Sequence, residues 1–231
     1  MERRSIIGAI FITASGTGVG KTFVTAALAQ AFVQAGHPVQ VLKPVISGFT
    51  PDDAEDSDTL QLLRALGRPA TPEAIDAMSP WRFSDPLSPD MAAARESRAI
   101  EFDDLVSFCK SSIDAHDGMT LIEGVGGIMV PLTQTHTVLD WVSALEIPTV
   151  LVVGSYLGTL SHTLTAVETM RARGVRVAGV VISESDEQPV PLSETAETII
   201  RFLPGVRVYT VPRSSTAPPD VSDLVELCRS A

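Results

Sequence analysis

Lysine is nearly missing from this chain. Among 231 residues there are only three, Lys21, Lys43 and Lys110, against fourteen arginines. Acidic residues number 28, which sets the formal net charge at −11. No basic stripe exists to neutralise a phosphate backbone, which argues against a nucleic-acid partner. An anionic ligand must instead be held by a few local positive groups. Cysteine is scarcer still: Cys109 and Cys228 stand far apart and without metal-ligand spacing. They read as reduced, structural thiols, in keeping with a cytoplasmic location. Also lacking is any apolar run long enough to cross a bilayer, so no membrane association is expected. No Pro/Gly/Ser linker divides the sequence, and one domain over residues 1–231 is expected.

What is present alternates. Runs rich in Val and Ile at 5–13, 39–43, 119–123, 148–153, 175–182 and 206–211 read as strands. They are continuous rather than period-two, as suits strands covered on both faces. Helix-like segments lie between them at 22–35, 58–66, 101–113, 160–173 and 193–203, several stopped by a glycine. The C-terminal stretch reads as a loop and a last short helix. This order predicts an α/β fold, a doubly wound, mostly parallel sheet with helices on both faces. The first residues, MERRSIIGAIFIT, have the charge and apolarity of a signal peptide. Because the apolar run leads straight into a glycine-rich loop, it is better read as the first core strand.

That loop, Ala14-Ser15-Gly16-Thr17-Gly18-Val19-Gly20-Lys21-Thr22, carries the strongest chemical signal. Its glycines let successive N–H groups converge on an anion, and the following helix adds positive charge at its N-terminus. Lys21 would reach the terminal phosphates and the Thr22 hydroxyl would ligate Mg2+. Ser15 occupies the first glycine of the strict P-loop pattern, and a plain strand-to-helix turn is the competing reading. Three further residues lie at strand ends or a helix start, where such folds bind ligands. Glu123 closes one strand before EGVGG and suits a metal beside Lys21 and Thr22, or else is a solvated carboxylate before a turn. Lys43 ends another strand just before Pro44, with Ser47-Gly48 near by, or else is an ordinary surface lysine. Asp58 opens a helix after an acidic loop and suits the same metal, unless it is merely the helix cap. Thr22, Asp58 and Glu123 would make a Mg2+ set completed by phosphate oxygens and water. Asp140 and His162 have no nucleophile elbow to serve, and are read as structural.

Together, FITASGTGVGKT, KPVISG, DSDTLQLL, DPLSPDMAAA, IEGVGGIMVPL, VLVVGSYLGTLSH, AGVVI and VYTVP resemble the dethiobiotin synthetase family over nearly the whole chain. The resemblance implies a homodimer of P-loop α/β subunits. It also implies use of ATP, Mg2+ and CO2 to close the ureido ring of 7,8-diaminopelargonic acid. Carried over by position, it assigns the nucleotide to Gly18, Val19, Gly20, Lys21, Thr22 and Phe23. Gly124, Val125 and Gly126 would meet nucleotide and diamine, and Ser183, Glu184, Val211, Pro212 and Arg213 the base. Asp58 and Glu123 would serve nucleotide and metal. Lys43, Lys21 and Thr17 would be catalytic, with Ser47 and Ser161 on the diamine. The chain departs from the family at Ser183 and Ser161, where asparagines are usual, at Gly18, and at Asp90, where SPH is usual. Two rivals remain: a superfamily amide-forming ligase such as a cobyrinate diamide synthetase, and a nucleotide-switched, partner-binding ATPase. The first usually has an added glutaminase domain, for which 231 residues leave no room. The second generally carries an early loop lysine, absent here.

Overall fold

The computed structural model describes residues 8–50, 57–213 and 219–230. Strands and helices alternate: β1 (Gly8–Ala14), α1 (Lys21–Gln34), β2 (Val39–Leu42) and β3 (Val45–Ser47) come first. Next come α2 (Asp58–Ala65), α3 (Pro72–Met78), β4 (Trp81–Phe83), α4 (Pro89–Arg95) and α5 (Phe102–Asp114). The second half contains β5 (Met119–Glu123), α6 (Val138–Leu145), β6 (Thr149–Val153), α7 (Thr159–Ala172) and β7 (Val177–Ser183). It ends with α8 (Leu192–Phe202), β8 (Arg207–Val211) and α9 (Ser222–Ser230).

Six parallel strands form the main sheet in the order β2-β5-β1-β6-β7-β8. Every residue of β5 and β6 is buried, as continuous apolar runs require when helices cover both faces. Alternation along β1 separates the two cores. Phe11 packs with Ile122, Leu151 and Trp141 on one face, whereas Ile10 and Ile12 pack with Val24, Leu28 and Leu121 on the other. The doubly wound expectation is met. β1 lies between β5 and β6, so the chain leaves it toward one half of the sheet and later crosses to the other half. The crevice beyond such a switch point is where these sheets bind ligands.

Boundaries differ from the sequence reading by one or two residues, with residues 5–7 of the first expected strand lying outside the described residues. Five elements were not anticipated. β3 and β4 pair in parallel as a separate two-stranded sheet, each only three residues long. Helices α3, α4 and α6 are seven, seven and eight residues. Segments this short show too few turns for a period to stand out.

Candidate active site

The loop after β1 wraps the start of α1, which begins at Lys21 rather than Thr22. Gly20 caps the helix with φ 92°, a backbone geometry that disfavours any residue with a Cβ. The loop is braced from β6 and from the stretch after β5: Ser15 N–H donates to the Val152 carbonyl at 3.1 Å, and Ile128 N–H donates to the Ala14 carbonyl at 2.8 Å. Gly127 packs so closely that an added Cβ would lie 3.1 Å from the Ser15 carbonyl oxygen and Gly16 Cα. The EGVGG stretch therefore backs the phosphate loop.

Lys21, Thr22, Lys43, Asp58 and Glu123 converge here. Lys43 Nζ donates to Glu123 Oε1 at 2.8 Å and to the Gly124 carbonyl at 2.8 Å, and pairs with Asp58 Oδ2 at 3.1 Å. At 2% exposure Lys43 is no surface lysine. Thr22 Oγ1 donates to the same Glu123 Oε1 at 2.8 Å. Asp58 is not the cap of α2: Ser57 accepts the Leu60 N–H at 3.3 Å, leaving Asp58 free to reach Lys43. Geometry thus removes the surface-lysine reading of Lys43 and the helix-cap reading of Asp58.

The electrostatics follow from burial. Lys21 is lowered to about 8, first by loss of water and then by the neighbouring Lys43 charge, only partly offset by Glu123 and Asp58. Burial acts the same way on Lys43, but the combined pull of Glu123 and Asp58 outweighs it and raises this amine above its usual value. Asp58 is pushed up by burial yet held below the ordinary carboxylate range, chiefly by Lys43. Two ammonium groups thus sit side by side in an acidic protein, an arrangement that suits a polyanion.

A cleft of about 730 Å3 opens over these groups, within the range of small-molecule sites. Thr17, Gly18, Lys21, Lys43, Ser47 and Asp58 lie along it. Its far wall is the run Pro86-Leu87-Ser88-Pro89 between β4 and α4, held by Gly48 N–H donating to the Asp85 carbonyl at 3.1 Å. Sequence reasoning gave that run no role, although two prolines so close together already argue for an extended wall. The Ser47 and Ser88 hydroxyl oxygens are buried without a hydrogen-bond partner among the described residues. A second cleft, of about 680 Å3, lies between α4, the start of α5 and residues 132–136, and contains no P-loop residue.

A cation fits the site. Glu123 Oε2 is buried and has no hydrogen-bond partner among the described residues, next to the Thr22 hydroxyl and the Asp58 carboxylate. No three His, Cys, Asp or Glu side chains cluster as a metal cage among the described residues. One hydroxyl and two carboxylates, however, suffice for Mg2+ that also takes phosphate oxygens and water.

The remaining expected residues separate into two groups. Ser183 lies directly on the phosphate loop, since a Cβ on Gly20 would come within 2.9 Å of Ser183 Cβ. Glu184, Val211, Pro212 and Arg213 follow it around the ends of β7 and β8, where Glu184 Oε2 accepts the Arg213 N–H at 2.8 Å. Ser161 does not join the cleft: it is exposed on the first turn of α7. Val125 and Gly126 line the cleft, Phe23 stands at its mouth 37% exposed, and Val19 is half-buried in the loop. Asp140 is structural, as expected, and closes a capping box with Thr137 at the start of α6.

The chain is similar to known proteins both in sequence and in fold. A family model described as an AAA domain matches residues 8–216. Among solved structures, MinD in a MinC:MinD cell division complex from Aquifex aeolicus aligns at TM-score 0.55 and 13% identity, over 96% of this chain and 86% of that one. MinD from Pyrococcus furiosus aligns at TM-score 0.52 and 18% identity, over 90% and 84%. At such identities they establish the P-loop fold alone. The ATP-dependent dethiobiotin synthetase BioD of Acidiphilium cryptum is 53% identical over 84% of this chain and 87% of its own length. That of Methylobacterium nodulans is 49% identical over 94% and 98%. At that level of likeness the chain belongs to the dethiobiotin synthetase family.

Proposed function

We propose that this protein is an ATP-dependent dethiobiotin synthetase, closing the ureido ring of 7,8-diaminopelargonic acid with CO2 and yielding dethiobiotin, ADP and phosphate. The observation that carries this reading is the meeting of Lys21, Lys43, Thr22 and Asp58 in one cleft with Glu123 buried against Lys43 and Thr22, within a family whose members bear that name. An uncharged amine of the diamine attacks CO2 and loses a proton, giving a carbamate. A carbamate oxygen then attacks the γ-phosphorus, releasing ADP and leaving a carbamic–phosphoric mixed anhydride. The second amine attacks the carbamoyl carbon, the ring closes, and inorganic phosphate leaves.

The chain contributes position and charge, as phosphoryl transfer demands. The backbone N–H groups of Gly18 to Thr22 and the Lys21 ammonium hold the phosphates. Lys43 and the Thr17 hydroxyl hold the carbamate, and Ser47 offers an unpaired hydroxyl to the diamine. The three Lys43 donors are already engaged, so contact with the carbamate requires exchanging one of them. The pair with half-exposed Asp58, at 3.1 Å, is the longest and the easiest to exchange. Mg2+, held by Thr22, Asp58 and Glu123, would neutralise charge on the β- and γ-phosphates. Ser183, Glu184 and Val211 to Arg213 hold the base.

We also propose a homodimer. Leu157, 84% exposed, and Leu160 lie in the 156–162 segment, which leaves Ser161 placed to serve a partner's cleft better than its own. Among the described residues no helix is long and apolar enough to cross a membrane. The deciding assay is phosphate release from ATP with the diamine and bicarbonate supplied together and singly. Release that needs both, and that disappears in Lys21→Ala while the melting curve is kept, is the expected result. Release that ignores the diamine would overturn the reading in favour of a switch-type ATPase.

A further inference from the structure

Two serines that no motif singles out tie the end of β6 to the end of β7. Ser155 N–H donates to Ser185 Oγ and Ser185 N–H donates to Ser155 Oγ, each at 2.9 Å. Ser155 is 1% exposed, so its N–H has no water to fall back on. Gly154 permits the approach: a Cβ there would meet Ser185 Oγ at 2.7 Å and the Tyr156 ring at 2.6 Å. The bonding continues outward on both sides. Thr159 Oγ1 donates to the Gly154 carbonyl at 2.6 Å and fixes the entry to α7. Glu184 N–H donates to the Val211 carbonyl at 3.0 Å, its carboxylate accepts the Arg213 N–H, and Arg213 pairs with Asp186. The ends of β6, β7 and β8 form one hydrogen-bonded rim, and Ser183, within it, rests on Gly20 of the phosphate loop.

We propose that the Ser155–Ser185 pair is a positioning device for the nucleotide, holding the β7 end against the phosphate loop so that base and ribose meet a preformed wall. The inference rests on the reading above that residues 183–184 and 211–213 hold the base. Neither serine lines the phosphate cleft, so neither acts on the reacting groups. The short Ser183 side chain has little reach toward a base, which leaves more of the affinity for the base to how firmly the wall is held. A wall fixed before binding does not have to be ordered by the ligand, and affinity gains accordingly. Removing either hydroxyl leaves the opposing N–H unpaired and lets the two strand ends part.

The test compares ATP with inorganic tripolyphosphate, which has the phosphates and no base. Binding of each is measured by calorimetry, in the presence of Mg2+, to the full chain and to Ser155→Ala, Ser185→Ala, the double variant and Ser185→Thr. Each single alanine variant is expected to weaken ATP by about three- to tenfold while tripolyphosphate stays unchanged. The double variant is expected to be no weaker than the poorer single one, because the two residues act as a unit. Ser185→Thr keeps the acceptor and is expected to bind ATP like wild type. Ser185 is half-buried, so its alanine variant keeps the test open should Ser155→Ala fail to fold. Equal loss for ATP and tripolyphosphate would overturn the proposal by making the pair a general support of the fold. Wild-type ATP affinity in all variants would overturn it while leaving the base site standing. If wild type itself binds tripolyphosphate as tightly as ATP, the base reading fails and the positioning role fails with it.

Discussion

Lys43 and Glu123, eighty residues apart in the chain, meet at 2.8 Å with both side chains closed to solvent. The contact joins the end of β2 to the end of β5, which are neighbours in the sheet, and so sets the floor of the cleft. A buried pair of this kind gives little net stability, but losing one member leaves an uncompensated charge. Lys43→Gln is therefore expected to lose turnover and also about 3–5 kcal/mol of stability. The double variant Lys43→Gln/Glu123→Gln removes both charges and should regain part of the stability without regaining activity. Urea unfolding of the four proteins in the cycle checks this. Additive losses would show that the pair is not coupled.

How much of this was legible in the sequence differs by kind of residue. The six strands of the main sheet were readable because covering on both faces forces continuous Val/Ile runs. Lys21 and Thr22 were readable because a phosphate loop needs its groups adjacent in the chain. Lys43, Asp58 and Glu123 showed only as candidates, since an isolated charged residue at an element's end looks the same whether it faces solvent or a site. Only the β2–β5 pairing brings Lys43 onto Glu123, and only the Ser57 cap frees Asp58. Ser155 and Ser185 carried no signal at all: their bonds depend on how two strand ends lie side by side, which no local pattern encodes.

Asp140 provides a test by pH. Its Oδ2 accepts the Thr137 N–H and hydroxyl, both at 2.8 Å, and Oδ1 accepts from Arg173 at 3.0 Å. Partial burial pushes its pKa up, but these partners outweigh it and hold the carboxyl below its usual range. A carboxyl with a depressed folded pKa stabilises fully above its unfolded value and loses that contribution as pH falls through the folded one. Asp140→Ala should lose about 1 kcal/mol near neutral pH, the usual net worth of a hydrogen bond, through the N3 side of the capping box that it closes with Thr137. The gap from wild type should shrink as pH falls below the ordinary aspartate range of about 4. Denaturant midpoints from pH 7 down to pH 3 measure it; a constant gap would mean that the charge plays no part.

Both thiols should be inert in the folded protein. Burial pushes Cys109 and Cys228 up to about 12, so almost no thiolate exists at pH 8. A chromogenic disulfide reagent should titrate no thiol in the native protein and two on unfolding in guanidinium. Cys109 is on α5 and faces the larger core, whereas Cys228 is on α9, a helix of nine residues. Short helices at the margin of a core open locally at lower free energy than its centre. Under mild denaturant Cys228 should therefore be labelled at least about tenfold faster than Cys109, as read by mass spectrometry of peptides. Equal rates would mean that α9 does not open independently.

Gly20 is the tightest point in the site, and its substitution separates two physical effects. At φ 92° any residue with a Cβ is strained by about 1–3 kcal/mol. A Cβ there would also press on Ser183, reaching its Cβ at 2.9 Å and its hydroxyl oxygen more closely still. The free Gly20→Ala loop should relieve this strain by leaving the φ 92° conformation, and restoring it on binding at a cost of about 1.4 kcal/mol corresponds to an about tenfold higher KM for ATP. Ser183→Gly removes the obstruction but not the strain. Combined with Gly20→Ala, it should restore part of the lost affinity, although Ser183→Gly alone gains none. Steady-state kinetics on the three variants decides between the effects. If the double variant is no better than Gly20→Ala, backbone strain alone accounts for the loss and the contact between the phosphate loop and the β7 end has no energetic weight.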